Sequence, residues 1–221
     1  MYEPTLDDRI AGSAALRRRQ AVVRGLARVA ARLDVQGLER IPDSGGVVLA
    51  VNHRAFLDGP VLFGLVPRPI SFLVKNQAYT PTLAPMLRTT GQVPVVRERP
   101  DVAAVRFSLE ILRAGGVIGV FPEGTRGDGL VRTAKPGVGY FALRTGAVVV
   151  PVACHGTEGL LRGPHRPAIR VTVGDPIDLG QVPWGQRVSR RAMLDATEQV
   201  RATLARLVVA SSPVRSLRAA A

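Results

Sequence analysis

The stretch that decides the fold is GVVLAVNHRAFLDGP, residues 46–60. Its first part, GVVLAV, is apolar throughout instead of alternating with polar residues, which is typical of a strand covered on both faces of its sheet. The polar segment NHRAFLD follows at once, and Gly59 and Pro60 stand where a helix can begin. The stretch therefore predicts a buried strand, a loop at its carboxyl end and a helix, which is the repeating unit of an α/β domain.

The rest of the chain repeats this alternation of apolar runs and helical patterns. The further candidate strands are PISFLVK (69–75), GQVPVVR (91–97), GVIGVFPE (116–123), AVVVPVAC (147–154) and AIRVTVGDPI (168–177). Helical patterns occupy residues 58–65, 81–87, 102–114, 136–145 and 188–209. Together they predict an α/β fold, a three-layer sandwich whose central, mostly parallel or mixed sheet is flanked by helices.

The composition favours a single basic domain. The chain has 221 residues, enough for one sizeable core, and 46% of them are hydrophobic, which excludes a disordered basic tail protein. Its 30 Lys and Arg against 17 Asp and Glu give a net charge of +13. We expect an N-terminal amphipathic helical segment over residues 1–34, the main domain over 35–210 and a disordered tail over 211–221.

The sequence also bears on the location of the protein. Its longest stretch without a charged residue, 145–157, contains Pro151 and is shorter than the ~20 apolar residues that cross a bilayer. The first ten residues, MYEPTLDDRI, are acidic and polar where a secretory signal has a basic and then an apolar region. We therefore expect a cytoplasmic chain without a transmembrane helix.

Residues 14–33 form a basic amphipathic pattern with helical spacing. One side carries the apolar residues Val22, Leu26, Val29 and Leu33. The opposite side carries the arginines Arg17, Arg24, Arg28 and Arg32. Two interpretations stay open: a terminal helix packed on the core with a solvated outer face, or a helix lying in the interface of an anionic bilayer with its arginines among the headgroups.

The loop NHRAFLD contains a histidine followed five residues later by an aspartate, His53 and Asp58. The loop can fold back so that the carboxylate accepts a hydrogen bond from one imidazole nitrogen, which leaves the other nitrogen free to act as a base. The alternative is that Asp58 only caps the helix that begins there.

A second polar loop, FPEGTRG, follows the apolar strand GVIGV. It contains four adjacent residues suited to binding an anion: Glu123, Gly124, Thr125 and Arg126. Lys75 and Arg97 each end another apolar run, so they can join Arg126 at one edge of the sheet and hold a phosphate. The alternative is a turn with an exposed Glu123–Arg126 ion pair and solvated cations.

These pieces, in this order, resemble the lysophospholipid and glycerolipid acyltransferase family, specifically the 1-acylglycerol-3-phosphate acyltransferases. NHRAFLD is similar to the first sequence block of that family, GQVPVVR to the second, FPEGTRG to the third and VVVPVACHGTE to the fourth. The resemblance extends over roughly residues 35–180, so the 35–210 segment is identified as an acyltransferase domain. Ala55 departs from the pattern, because members often have Ser there; the change removes a hydroxyl but neither His53 nor Asp58.

The resemblance implies transfer of a fatty acyl group from acyl-CoA or acyl carrier protein to the free hydroxyl of 1-acylglycerol 3-phosphate, which gives phosphatidic acid. His53 would be the general base and Asp58 would orient it. The substrate-binding residues would be Lys75, Arg97, Glu123, Gly124, Thr125 and Arg126. Because an ionised carboxylate does not favour phosphate, Glu123 would hold Arg or Lys side chains or a glycerol hydroxyl. Glycerol 3-phosphate or another lysophospholipid is the alternative acceptor.

The resemblance and the charge together imply a peripheral protein on the cytoplasmic side of the cell membrane, in contact with anionic lipid. We expect no cofactor besides the acyl thioester donor, and no metal, since no HExxH or similar ligand spacing occurs. Cys154 and His155 are adjacent on a strand and point to opposite faces, so they do not form a nucleophile and base. A basic nucleic-acid-binding module is the alternative of another class; an aromatic content of 5% and the lack of a known motif disfavour it.

Overall fold

The computed structural model describes residues 5–7, 14–96, 98, 101–163, 165–183 and 185–212. The strands in this part of the chain are β1 (Arg32–Gln36), β2 (Val47–Val51), β3 (Ile70–Lys75), β4 (Val93–Val95), β5 (Val117–Val120), β6 (Val148–His155) and β7 (Ala168–Val173). The α-helices are α1 (Ala14–Ala30), α2 (Asp58–Leu65), α3 (Ala84–Thr89), α4 (Val102–Arg113), α5 (Gly137–Thr145) and α6 (Arg190–Ser211).

One seven-stranded sheet runs through the centre in the order β1-β7-β6-β2-β5-β3-β4. The five strands from β6 to β4 are parallel, whereas β7 pairs antiparallel with β6 and parallel with β1. The predicted three-layer α/β fold with a mostly parallel sheet is thus confirmed. Because β2, β3, β5 and β6 run the same way, the loops that follow them lie at one edge of the sheet.

The two faces of β2 explain the absence of polar residues in this strand. Val47, Leu49 and Val51 belong to a core shared with α1 and α2. Val48 and Ala50 face the other way and belong to a core shared with α4, α5 and α6. All five residues of the strand are buried, as expected for a strand between two helical layers.

The N-terminal segment differs from the prediction at its end. The helical pattern was expected to continue to Leu33, but α1 ends at Ala30 and Leu33 belongs to β1. The guanidinium of Arg166 donates hydrogen bonds to the carbonyls of Arg28 and Ala31. These bonds provide partners at the C-terminal end of the helix, where the last carbonyls have none within the helix. β1 then pairs with β7, and the expected boundary between the N-terminal segment and the domain at residue 34 falls inside β1.

The face of α1 that packs on the protein is not the predicted apolar side. Leu16, Gln20 and Ala27 are buried, and the Gln20 amide donates hydrogen bonds to three carbonyls at the end of α2, those of Phe63, Val66 and Arg68, at 3.1–3.3 Å. The remaining apolar residues of the predicted side stay in contact with solvent: Val22, Leu26 and Val29 are 62%, 65% and 75% exposed. The helix is therefore part of the fold and still presents an apolar stripe outward.

No helix in the described ranges is both long and apolar enough to cross a membrane. At the other end of the chain, α6 continues to Ser211, and residues 213–221 of the expected tail lie outside the described residues.

Candidate active site

The loop after β2 folds back on the start of α2 and brings His53 to Asp58. Nδ1 of the His53 ring lies 2.9 Å from Oδ2 of Asp58, whose side chain is fully buried. The same oxygen accepts the backbone N–H groups of Arg54 and Ala55, each at 2.9 Å. Three donors from one short loop thus fix the carboxylate, and the helix that begins at Asp58 holds its backbone.

The residues on either side of this loop tie it to β6. The Asn52 amide donates to the carbonyl of Cys154 at 3.1 Å, and its oxygen accepts the N–H of Cys154 at 2.7 Å. Thr157, which follows β6 and is buried, donates its hydroxyl to Oδ1 of Asp58. Sequence analysis did not assign a role to Asn52 or Thr157; the only signal was their presence in the first and fourth blocks.

Aromatic rings set the position of the imidazole. His53 stacks on Phe121 with ring centroids 4.0 Å apart, and Phe121 stacks on Phe72 with centroids 5.3 Å apart. Gly119 in β5 makes this arrangement possible, because a Cβ at that position would overlap the Phe72 ring. In the described part of the chain no group hydrogen-bonds to Nε2 of His53, and the residue lines a cleft. This nitrogen is therefore available to a ligand in the cleft.

Glu123, in the loop that follows β5, supports the loop that contains His53. Its Oε1 accepts the backbone N–H of His53 at 2.8 Å, and its carboxylate also receives the amide of Val131. Burial raises the pKa of Glu123, and the two amides oppose that effect. Val131 itself is buried with a φ of 52°, a left-handed conformation that is unusual for a β-branched residue. Among the described residues the hydrogen-bond partners of Glu123 are thus backbone amides, and not the Arg or Lys side chains expected from the sequence.

Three of the other predicted binding residues line the cleft. Thr125 and Arg126 line it from the loop after β5, and Lys75 lines it from the end of β3. Gly124 has a φ of +74°, and a Cβ there would overlap the side chain of Lys135. The structure thus places Lys135, which sequence analysis did not select, against the FPEGTRG loop. Arg97 lies outside the described residues.

The cleft itself has a volume of about 260 Å³. Most of its lining is apolar, contributed by Val23, Phe56, Phe63, Phe72, Leu73, Val74, Ala78, Met86, Leu87 and Phe121. The charged or basic side chains in its lining are His53, Lys75 and Arg126. A ligand with a long apolar part and an anionic group matches this distribution.

Cys154 and His155 take part in separate contacts. Burial raises the pKa of the Cys154 thiol, which keeps it protonated. The His155 ring is buried and hydrogen-bonds through Nε2 to the Ser211 hydroxyl at 3.1 Å, at the end of α6. Among the described residues, no group of three or more His, Cys, Asp or Glu side chains is arranged to hold a metal ion.

A comparison with protein families agrees with the fold and the site described above. The family model described as Acyltransferase matches residues 32–155, more than half of the chain. The chain belongs to this acyltransferase family, as the four sequence blocks predicted.

Two acyltransferases illustrate the sequence similarity to individual proteins. The chain is 31% identical over 159 residues to the chloroplastic 1-acyl-sn-glycerol-3-phosphate acyltransferase LPAT1 of Arabidopsis thaliana, an alignment that covers 66% of this chain and 44% of that protein. It is 26% identical over 170 residues to the 1-acyl-sn-glycerol-3-phosphate acyltransferase of Bacillus subtilis, which covers 75% and 84%. The chain thus spans less than half of the plant relative and most of the bacterial one.

The fold is similar to that of a solved structure. The crystal structure of PlsC, the 1-acyl-sn-glycerophosphate acyltransferase of Thermotoga maritima, superposes with a TM-score of 0.62 over 87% of this chain and 79% of that one. At 24% sequence identity this similarity supports the shared fold.

Proposed function

We propose that the protein transfers a fatty acyl group from an acyl thioester to the free hydroxyl of 1-acylglycerol 3-phosphate, which gives phosphatidic acid. The observation that carries the proposal is the His53–Asp58 pair, because Asp58 occupies only Nδ1 of the ring and His53 lines an apolar cleft with cations in its lining. The names of the plant and bacterial relatives support this acceptor. Membership of the family favours this activity over a nucleic-acid-binding role.

In the proposed reaction, Nε2 of His53 removes the proton of the acceptor hydroxyl as the oxygen attacks the thioester carbonyl. Asp58 accepts the Nδ1–H bond, keeps the ring in this tautomer and stabilises the imidazolium that forms. The new C–O bond forms, the C–S bond breaks, and the imidazolium returns its proton to the departing thiolate. Acyl-CoA and acyl carrier protein are both suitable donors.

The binding assignments follow from the charges in the cleft. We assign the acceptor phosphate to Arg126, Thr125 and Lys75, with Arg97 and the Gly124 backbone as further contacts. Lys135 adds a cation beside Gly124. We assign the acyl chain to the apolar part of the cleft, since burial of its methylene groups is favourable by about 0.8 kcal/mol each.

We also propose that the protein works at an anionic membrane surface, on the cytoplasmic side. The exposed stripe of α1, defined as Val22, Leu26 and Val29, supports this placement. Arg18 is exposed one turn before Val22 on the same face of the helix. Val23, beside the stripe, lines the cleft, so a lipid acceptor has a short path from the bilayer to the site.

The test of the activity is transfer of labelled acyl groups by the purified protein. We expect turnover with 1-acylglycerol 3-phosphate in a panel that also contains glycerol 3-phosphate and other lysophospholipids, with acyl-CoA and acyl carrier protein as separate donors. His53→Ala should lower kcat by about 10²- to 10⁴-fold, the usual contribution of a general base. His165→Ala, at an exposed loop position, is the matched control and should change little. A rate for His53→Ala within a few-fold of wild type would contradict the assignment of the base.

A further inference from the structure

The carboxylate of Asp58 is held on both of its oxygens by different parts of the chain. Oδ2 accepts the His53 ring and two amides of its own loop. Oδ1 accepts the hydroxyl of Thr157, and no other side chain or amide in the described ranges donates to it. Thr157 and Asp58 are both buried, at 1% and 0% exposed. Water therefore has no ready access to replace the hydroxyl if it is removed.

We propose that Thr157 is a positioning residue, which fixes the orientation of the Asp58 carboxylate and stabilises its charge so that Oδ2 stays aligned with His53. This inference rests on the proposed function of the His53–Asp58 pair. The three donors to Oδ2 all belong to one loop, whereas the Thr157 hydroxyl reaches Oδ1 from the segment after β6 and holds the carboxylate independently of that loop. A hydrogen bond to an ionised group is also stronger than one between neutral groups, and in a buried site its loss is not compensated.

The effect on the pH dependence has a definite sign. The reactive form of the pair is ionised Asp58 with neutral His53, which carries one negative charge more than the protonated pair. Removal of a donor to the carboxylate disfavours the form with more negative charge, so the pair takes up its proton at a higher pH. The acid limb of the rate profile should therefore move to higher pH.

Substitution of Thr157 leaves the other titratable or charged side chains near the pair in the sequence. They are Arg54 and Glu158, whose side chains form an ion pair at 3.4 Å, the Cys154 thiol, which shares a hydrogen bond with the Thr157 side chain, Glu123 at the His53 amide, and the cleft-lining cations Lys75 and Arg126. A shift that appears on substitution of Thr157 alone is therefore assigned to its hydroxyl.

The test compares three variants with wild type. Thr157→Val removes the hydroxyl and keeps the shape of the side chain, whereas Thr157→Ser keeps the hydroxyl. Thr172→Val is the matched control, because the buried Thr172 hydroxyl in β7 has no hydrogen-bond partner among the described residues. The measurements are kcat, KM for each substrate, the pH profile of kcat/KM and the midpoint of thermal unfolding.

We expect Thr157→Val to lower kcat about 10- to 100-fold, the factor that corresponds to one hydrogen bond to a charged group. Its KM values should stay within about twofold of wild type, and its acid limb should move to higher pH. Thr157→Ser should retain most of the rate and the wild-type profile, and Thr172→Val should behave as wild type. The inference is overturned if Thr157→Val keeps kcat within about threefold, or if Thr157→Ser is as impaired as Thr157→Val. If the valine variant does not fold, Thr157→Ala removes the same hydroxyl and is judged by the same readouts.

A second readout does not require turnover. The chain has three histidines, so the ring signals of His53 can be assigned in NMR spectra with His53→Ala and His165→Ala as references. We expect the His53 ring to titrate at a higher pH in Thr157→Val than in wild type. An unchanged titration overturns the role of Thr157 whatever the activity is. A shifted titration without acyl transfer by wild type refutes the proposed function and leaves the Thr157–Asp58–His53 coupling supported.

Discussion

At the scale of single residues, Glu123 connects two loops of the site although its burial disfavours the ionised form of its carboxyl group. Its carboxylate accepts the amides of His53 and Val131, and burial raises its pKa. The backbone next to the imidazole is thus held by a group whose ionisation is costly. Because ionisation of Glu123 costs free energy in the folded state, the stability of the protein should depend on pH through this residue.

We expect Glu123→Gln to become more favourable relative to wild type as the pH rises. Because the pKa of Glu123 in the folded protein lies above its ordinary value of 4.5, its contribution to stability is fully present below about pH 4.5 and is lost as the pH rises through the folded value. Glutamine does not ionise, so its contribution to stability does not change with pH. The measurement is the free energy of unfolding of both proteins in urea at several pH values between 4 and 7.

Glu110→Gln, at an exposed position of α4, is the matched control for this comparison. Its difference from wild type should vary little over the same range. A difference between Glu123→Gln and wild type that is constant with pH would contradict the proposed cost of burial.

Contacts within one loop could be predicted from the sequence, and contacts between distant segments could not. His53 and Asp58 are five residues apart, so a strand, a turn and a helix start are enough to bring them together. Glu123 reaches the His53 amide across 70 residues, and Thr157 reaches Asp58 across 99. These contacts depend on which strands become neighbours, and no local pattern of residues encodes that order.

At the scale of elements, α1 is held by contacts in its first half and at its C-terminal end. Gln20 donates to the carbonyls at the end of α2, and Arg166 donates to the carbonyls at the end of α1. A single residue, Ala31, then separates the helix from β1. The exposed stripe of α1 therefore has a fixed direction relative to the cleft.

We expect Val22→Ser combined with Leu26→Ser to lower binding to anionic vesicles by about tenfold or more. Transfer of the apolar Val22 and Leu26 side chains from water into the bilayer is favourable, and the serine side chains lack this contribution. The measurement is sedimentation of the protein with vesicles that contain phosphatidic acid or phosphatidylglycerol. Val102→Ser with Val209→Ser is the matched control, since these valines are equally exposed on helices of the opposite layer. Equal losses in both double variants would argue against a membrane role for α1.

The error in the predicted end of α1 has a physical cause. Leu33 continues the spacing of the apolar residues of the helix, so periodicity alone extends the helix into RLDVQ. The pairing of this segment with β7 along its whole length overrides that local preference. Gln20 shows the same limit: its burial follows from the unpaired carbonyls of α2, which are invisible to a count of apolar residues.

At the scale of the whole molecule, the excess of positive charge and the mostly parallel sheet act together. The net charge is +13, and the parallel strands collect the polar loops of the site at one edge. The parallel part of the sheet could be predicted because its apolar runs alternate with helices. The reversed direction of β7 and β1 could not, because the run AIRVTVGDPI has the same apolar character in either orientation.

We expect vesicle binding to depend steeply on salt. Raising the ionic strength from 0.05 M to 0.5 M shortens the range of charge interactions to a few Å, so the bound fraction on anionic vesicles should fall by about tenfold or more. Binding to zwitterionic phosphatidylcholine vesicles should be weak and nearly independent of salt. The same sedimentation assay measures both. Salt-independent binding to both lipids would show that the charge does not drive association.

Gly119 bears on both the wall of the cleft and the position of the His53 ring. Its missing side chain leaves room for Phe72, which supports Phe121 and through it the imidazole of His53. A side chain at position 119 would overlap the Phe72 ring, which lines the cleft and belongs to the same stack as the His53 ring. If the cleft holds the acyl chain as proposed, substitutions outside the aromatic stack, at Met86 or Leu87, should change the preferred chain length without displacing the His53 ring.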